Sequence, residues 1–269
     1  MIDAILNMLP YARRWFQPTQ EGLDIEDLAY TANHAAEIGD LELLQRLLGD
    51  GLNYFSDPEG RTPLMQASLA GHPACVKYLL ELGWNPIAAD AMGQTALHLA
   101  ASEGRVAVCR LLITHCDADL LDGYGDKPIA IAARLGFLEI VKLLLPKTGD
   151  CRGAFMAAMA EGRAGIAKVL LPRVNPRECF SVRKGGTPLR SCAVQGRADC
   201  LALIISSYEE SERDELVRAL GSARERGHDA AADLIAGRIA QLDLALLNDD
   251  LDLHAKLAGV PERAKSKRL

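Results

Sequence analysis

The sequence is poor in aromatic residues: Phe, Trp and Tyr together make up 5% of its 269 residues. A core built mainly on large rings is therefore excluded, and the abundant Ala, Leu and Gly suit helices that approach closely. Paired cysteines are lacking too. The seven cysteines, Cys75, Cys109, Cys116, Cys151, Cys179, Cys192 and Cys200, are odd in number and contain no C-x-x-C pair. Zinc favours His and Cys at close, paired spacings. Cys192 and Cys200 have no histidine near them in sequence, and His115 merely adjoins Cys116. Cys75, Cys109 and Cys200 fall inside apolar helical patterns, where Cys acts as a small hydrophobe. This usage predicts reduced thiols, a cytoplasmic setting and no metal or other cofactor.

An excess of positive charge is also missing. Lys and Arg number 30 against 36 Asp and Glu, a formal net charge of −6. Binding to phosphate backbones rests on Lys and Arg, so no nucleic-acid partner is expected. The basic run Arg263, Lys265, Lys267 and Arg268 stands at the chain end and reads as a solvated tail. No uncharged apolar stretch approaches the roughly 18 residues needed to cross a bilayer, so no membrane partner is expected. The opening stretch, MIDAILNMLPYARRWF, has no basic region ahead of its apolar part and carries Asp3 and Pro10. It reads as a short capping helix rather than a signal peptide.

What the sequence does contain is a repeat. A glycine after an Ala-rich stretch recurs at Gly39, Gly71, Gly104, Gly136, Gly162, Gly196 and Gly227. A second column follows at a fixed distance: Leu47, Leu79, Leu112, Leu144, Leu170, Ile204 and Ile235. Its next position is Leu48, Leu80, Ile113, Leu145, Leu171, Ile205 and Ala236. Three units add an upstream signature: GRTPLMQASLAGH at 60–72, GQTALHLAASEGR at 93–105 and GGTPLRSCAVQGR at 185–197. A fourth, GDKPIAIAARLGF at 125–137, has Lys127 in place of Thr.

Each residue type has a physical reason. Thr62 stands where an N-cap hydroxyl accepts backbone N–H groups. Pro63 follows at the first helical position, where its missing N–H costs nothing. Gly71 supplies the positive φ that ends the helix. Val76, Leu79 and Leu80 form the apolar stripe of a second helix. One such unit cannot bury its stripe alone, so stability comes from stacking on neighbours.

These residues resemble the ankyrin repeat, with its G-x-T-P-L-H-x-A-A-x-x-G core, over roughly residues 24–240. The resemblance implies an all-α fold: a solenoid of about seven stacked helix–turn–helix units with short β-hairpin loops. It places an N-terminal capping segment at 1–23, the repeat domain at 24–240, and a C-terminal capping helix with the basic tail at 241–269. Between Gly136 and Gly162 the spacing contracts, and KTGDCRGAF at 147–155 is too short for a full hairpin. The fifth hairpin is thus expected to be reduced, with a notch or a change of curvature there.

The search for catalytic chemistry finds little. No cysteine carries a recognisable nucleophile signature. His98, in TALH, resembles the family's loop-bonding histidine, and His72 and His228 follow the helix-ending glycine. Arg183-Lys184-Gly185-Gly186-Thr187 offers cations at a helix start, an incidental anion site at most, because no G-x-x-x-x-G-K-[ST] is present. The chain is therefore expected not to be an enzyme. A site hidden at the notch around Cys151 or in the C-terminal segment is the catalytic alternative.

The family resemblance implies binding by hairpin tips and by inner-helix positions just before the glycine, on a concave face. By register these are Arg61, Met92, Gln94, Glu103, Tyr124, Asp126, Arg134, Arg183 and Lys184, with Ser56, Glu59, Leu69, Leu121 and Leu135 beside them. Tyr124, Met92, Arg61 and Arg134 are the expected hot spots, since aromatics, Met and Arg are enriched in interface cores. Tyr54, Phe55 and Trp84 are expected to pack between units instead. The implied function is a non-catalytic module, an adaptor, scaffold or inhibitor, that binds a partner protein as a monomer. The alternative is a bacterial inhibitor or immunity protein, or a secreted effector delivered into a host cell, that occludes a partner enzyme.

Overall fold

The computed structural model describes residues 25–48, 55–179 and 186–257. The predicted capping segment at 1–23, Tyr54, Arg183, Lys184 and the basic tail lie outside these residues. Two compact units are present. One comprises residues up to Cys116 together with Asp122–Tyr124; the other comprises Asp117–Leu121 and the chain from Gly125 onward.

The first unit holds six described helices: α1 (Ile25–Ile38), α2 (Leu41–Leu48), α3 (Pro63–Ala70), α4 (Pro73–Glu81), α5 (Ala96–Ser102) and α6 (Val106–Leu112). They form two layers. The row α1, α3, α5 packs side by side, and α2, α4, α6 make a second row against it. Local chemistry sets the bounds. The Thr62 hydroxyl caps α3 by accepting from the Met65 N–H at 3.3 Å, and Pro63 follows at the first position. The helix stops at Gly71, whose φ of 92° belongs to the left-handed region that glycine tolerates without strain. At α5, His98 and Thr95 form a capping box, with Thr95 Oγ1 2.9 Å from His98 Nδ1. Buried His98 thus serves the start of its own helix.

The second unit repeats the plan with α7 (Pro128–Leu135), α8 (Leu138–Leu144), α9 (Arg152–Ala160), α10 (Ala164–Leu170), α11 (Pro188–Gln195), α12 (Ala198–Ile204), α13 (Arg213–Glu225) and α14 (Asp229–Leu257). Here α7, α9, α11 and α13 form one row and α8, α10, α12 and α14 the other. Among the described residues there is no strand. The loops expected as β-hairpins are tight turns closed by a few backbone bonds, such as Asp57 N–H to Arg61 O at 2.9 Å.

One position explains how closely the inner helices approach. Four residues before each helix-ending glycine stand Ala35, Ala67, Ala100, Ala132, Ala158, Cys192 and Ala223, all with no exposed surface. A methyl or a thiol is all that fits between adjacent helices at native packing density. Cys192 takes the alanine place, with its Sγ 3.6 Å from the Met159 carbonyl. On the outer row, Leu79, Leu112, Leu144, Leu170, Ile204 and Ile235 are fully buried, as the second sequence column predicts. Leu47 departs from it: it is half-buried, and Leu48 takes the interior place. The third column, from Leu80 to Ala236, is half-exposed and forms the rim of the core.

The contracted stretch between α8 and α9 is a 3-10 turn, Leu145–Lys147, followed by residues 148–151. Lys127, at the N-cap of α7, makes no side-chain cap bond. Its Nζ instead donates to Asp119 Oδ1 at 2.8 Å and to the Asp150 carbonyl at 3.2 Å, and Asp119 Oδ2 accepts from the Gly149 N–H at 2.9 Å. This side-chain latch replaces the missing loop, while α7 and α9 remain in direct contact. At the far end, α14 runs through residue 240 without a break. Asp243 pairs with Arg213 through bonds of 3.0 and 3.2 Å. The boundary read from sequence at 240 therefore falls inside one helix.

Candidate partner-binding face

The loops of the first unit share a second motif, an aspartate three residues before a glycine. Asp57 Oδ1 accepts from the Arg61 N–H at 2.7 Å. Asp90 Oδ1 accepts from the Met92 and Gln94 N–H groups at 2.9 and 2.8 Å. Asp122 Oδ1 accepts from the Tyr124 N–H at 2.9 Å. Asp side chains bond their own backbone two residues on and so fix tight turns. Successive loops also bond each other: Ala91 N–H to Glu59 O at 2.9 Å, and Gly123 N–H to Met92 O at 2.8 Å. A Cβ at Gly93 would lie 2.5 Å from the Gly123 nitrogen, so this approach requires glycine.

The predicted site residues divide sharply. Met92 and Tyr124 are 51% and 55% exposed, and the Gly123–Met92 bond sets them on neighbouring loops. Glu103 is exposed at the end of α5, and Gln94 is half-buried with its backbone committed to Asp90. Arg61 turns inward: its Nε lies 3.7 Å from Asp90 Oδ2, a carboxylate with 2% side-chain exposure. It braces two loops from within. In the second unit Asp126 and Arg134 face each other at 2.9 Å and neutralise one another. Phe55 and Trp84 pack edge to face with ring centroids 5.0 Å apart, and Trp84 is buried.

Sequence reasoning missed a groove of about 720 Å³ in the first unit, between α1, the 56–59 loop and Gln66 of α3. Tyr30, Asn33, His34 and Glu37 supply its α1 wall, and Ser56, Asp57, Pro58 and Glu59 the opposite side. Tyr30 occupies the register position held elsewhere by the capping Thr62 and Thr95. The first helix has no T-P-L signature, so it continues past that point and presents a ring that is 71% exposed. Glu37 sits two residues before Gly39, the register of Leu69 and Arg134. That register was the signal that could have found it.

The groove is acidic and partly committed. Asp57 Oδ2 accepts from Gln66 Nε2 at 3.2 Å, and Glu37 lies 3.6 Å from His34. Glu59 is exposed and carries no ion pair among the described residues. Asn33, 6% exposed, donates from Nδ2 to the Arg61 carbonyl at 3.1 Å, while its buried Oδ1 has no partner among the described residues.

Cys151 is a different case. It is buried; burial raises its thiol above the usual range, and Arg173 and Lys127 only partly offset this. An activated cysteine needs the opposite shift and solvent access. Among the described residues no cluster of His, Cys, Asp or Glu could hold a metal ion, and no helix is long and apolar enough to cross a membrane.

A sequence profile described as "Ankyrin repeats (3 copies)" matches residues 32–122, 87–154, 107–178 and 129–214. The chain is 34% identical over 42% of its length to glycerophosphocholine phosphodiesterase GDE1 of Candida albicans, covering 10% of that protein. It is 30% identical over 62% of its length to the ankyrin repeat and KH domain-containing protein mask-1 of Caenorhabditis elegans, covering 5% of it. Over 90% of its length it is 28% identical to potassium channel AKT2/3 of Arabidopsis thaliana, covering 29% of that chain. The chain thus spans less than a third of each of these relatives.

Proposed function

Because the chain belongs to the ankyrin-repeat family, whose repeats serve as protein–protein interaction modules, we propose that it is a non-catalytic adaptor, scaffold or inhibitor. Its partner docks on the loop tips and inner helices of the first unit. The observation that carries this reading is the pair Met92 and Tyr124, two large side chains more than half exposed on adjoining, backbone-bonded loops. Large apolar side chains held on a rigid scaffold are what interface hot spots require, since little ordering entropy remains to be lost. The paired Asp126 and Arg134, and Arg61 with its Nε 3.7 Å from Asp90 Oδ2, contribute less because each charge already faces an opposite one.

A non-catalytic role is supported by the state of Cys109 and Cys179. Cys109 is pushed up to about 12 and Cys179 to about 11, both chiefly by burial. Neither is poised as a nucleophile near neutral pH. The test is quantitative affinity capture with the full chain and with Met92→Ala/Tyr124→Ala. Loss of a captured protein from the double variant, at unchanged melting temperature, is the expected result. Equal capture by both rejects this placement of the surface.

A further inference from the structure

We propose that the groove beside α1 takes an arginine side chain of a partner polypeptide. The inference rests on the interaction-module reading and adds the chemistry of one recognised residue. Three independent features converge there. First, Asn33 is 6% exposed and its Oδ1 lacks a hydrogen bond among the described residues, although its Nδ2 is fixed on the Arg61 carbonyl at 3.1 Å. That bond fixes the amide orientation, so the vacant atom is an acceptor. Buried polar atoms are almost always satisfied, so this acceptor, closed off from solvent on a groove-lining residue, gains a donor when an occupant shifts that wall. Second, Glu37 and Glu59 place two exposed carboxylates on the two walls, and Asp57, whose oxygens accept from the Arg61 N–H and Gln66, adds a third charge to the lining. The occupant must therefore be positive as well as a donor. Third, Tyr30 offers a ring that is 71% exposed on the same α1 wall. A guanidinium stacks on such a face.

Arginine fits this set better than lysine. Its five N–H donors lie in one plane, so it can address an amide oxygen and carboxylates together while stacking on an aromatic ring. An ammonium is a compact, strongly hydrated point charge. A volume of about 720 Å³ admits the side chain with flanking peptide backbone, within the usual range for binding clefts.

The test titrates the ¹⁵N-labelled full chain with the peptide acetyl-Gly-Gly-Arg-Gly-Gly-amide and with its citrulline counterpart, which keeps the shape and loses the charge. Amide shifts centred on residues 30–37 and 56–60, with the citrulline peptide binding about tenfold more weakly or worse, are expected. Tyr30→Ala and Glu59→Gln alter exposed side chains, so each should weaken the arginine peptide several-fold at unchanged melting temperature. Equal binding of the two peptides, no binding, or shifts confined to other residues overturns the proposal. A full-chain Arg13→Ala/Arg14→Ala variant that binds the peptide more tightly also overturns it, because the chain's own arginines would then be the occupant. None of these failures touches the Met92 and Tyr124 reading, which the capture experiment tests separately.

Discussion

Arg105 lies across Gly71: its Nε donates to the Leu69 carbonyl at 3.1 Å, and its Cδ sits 2.6 Å from where a Cβ on that glycine would be. The arrangement recurs. His72 reaches the Glu37 carbonyl at 2.9 Å over Gly39, Arg163 the Arg134 carbonyl at 3.5 Å over Gly136, and His228 the Val194 carbonyl at 3.2 Å over Gly196. Each side chain follows the glycine of its own helix pair and bonds the carbonyl two residues before the preceding glycine. The last carbonyls of a helix have no partner within it. The next pair supplies one.

Gly71→Ala therefore carries two penalties, a residue forced to a φ of 92° and a methyl driven into Arg105. A loss of about 1–3 kcal/mol in urea unfolding is expected. Adding Arg105→Ala should relieve the steric part and leave the backbone part, so the double variant falls short of the sum of the single losses. Strict additivity would show that the two residues do not meet.

The alanine column predicts an asymmetric response to size. Cys192→Ala keeps a small side chain and should change stability by less than about 1.5 kcal/mol. Ala132→Leu inserts a branched side chain where no surface is exposed and should cost about 1–3 kcal/mol or more. Urea midpoints at matched m-values decide it; tolerance of leucine would mean that the rows can move apart.

Six of the seven cysteines are buried, and Cys116 alone is half-exposed. With a water-soluble disulfide reagent near pH 8, one fast equivalent per chain is expected, and Cys116→Ser should abolish it. Cys109, held up to about 12 chiefly by burial, reacts only on unfolding. Two or more fast equivalents in the native chain would contradict this packing.

The latch at the contracted loop predicts acid sensitivity. Arg152, through side-chain and backbone bonds, holds Asp150 down to about 2. Burial alone would raise Asp119, but the bonds from Lys127 and the Gly149 N–H outweigh it and leave its carboxyl below the usual range. Both folded values lie below the unfolded value of about 3.9. Their stabilisation is therefore complete above about pH 4 and is lost as pH falls toward about 2. Asp119→Asn should flatten the stability profile across that window and leave its shape at neutral pH unchanged. An unaltered acid limb would show that the latch does not contribute.

Much of the fold was legible because its marks are local. The glycine column, Thr62, Pro63 and the Val76–Leu79 stripe each act within a turn or two of their own position, so spacing alone reveals them. The proposed partner face was less so. Register placed Met92 and Tyr124 outward, yet it could not show that Arg61 would turn to a carboxylate in the next loop, or that Asp126 and Arg134 would spend their charges on each other. Those outcomes depend on where long side chains end, which spacing does not fix. The α1 groove was missed because the first helix lacks the T-P-L mark, and the same lack leaves Tyr30 on its surface.

The overhead bond from one pair to the carbonyls of its predecessor gives the array a direction. Pruning a pair from the C-terminal side strips the remaining helix of its lid and leaves peptide oxygens bare. Pruning from the N-terminal side leaves only a stray guanidinium or imidazole, which water readily accommodates. Shortened chains of equal length should thus differ in soundness according to which end was removed.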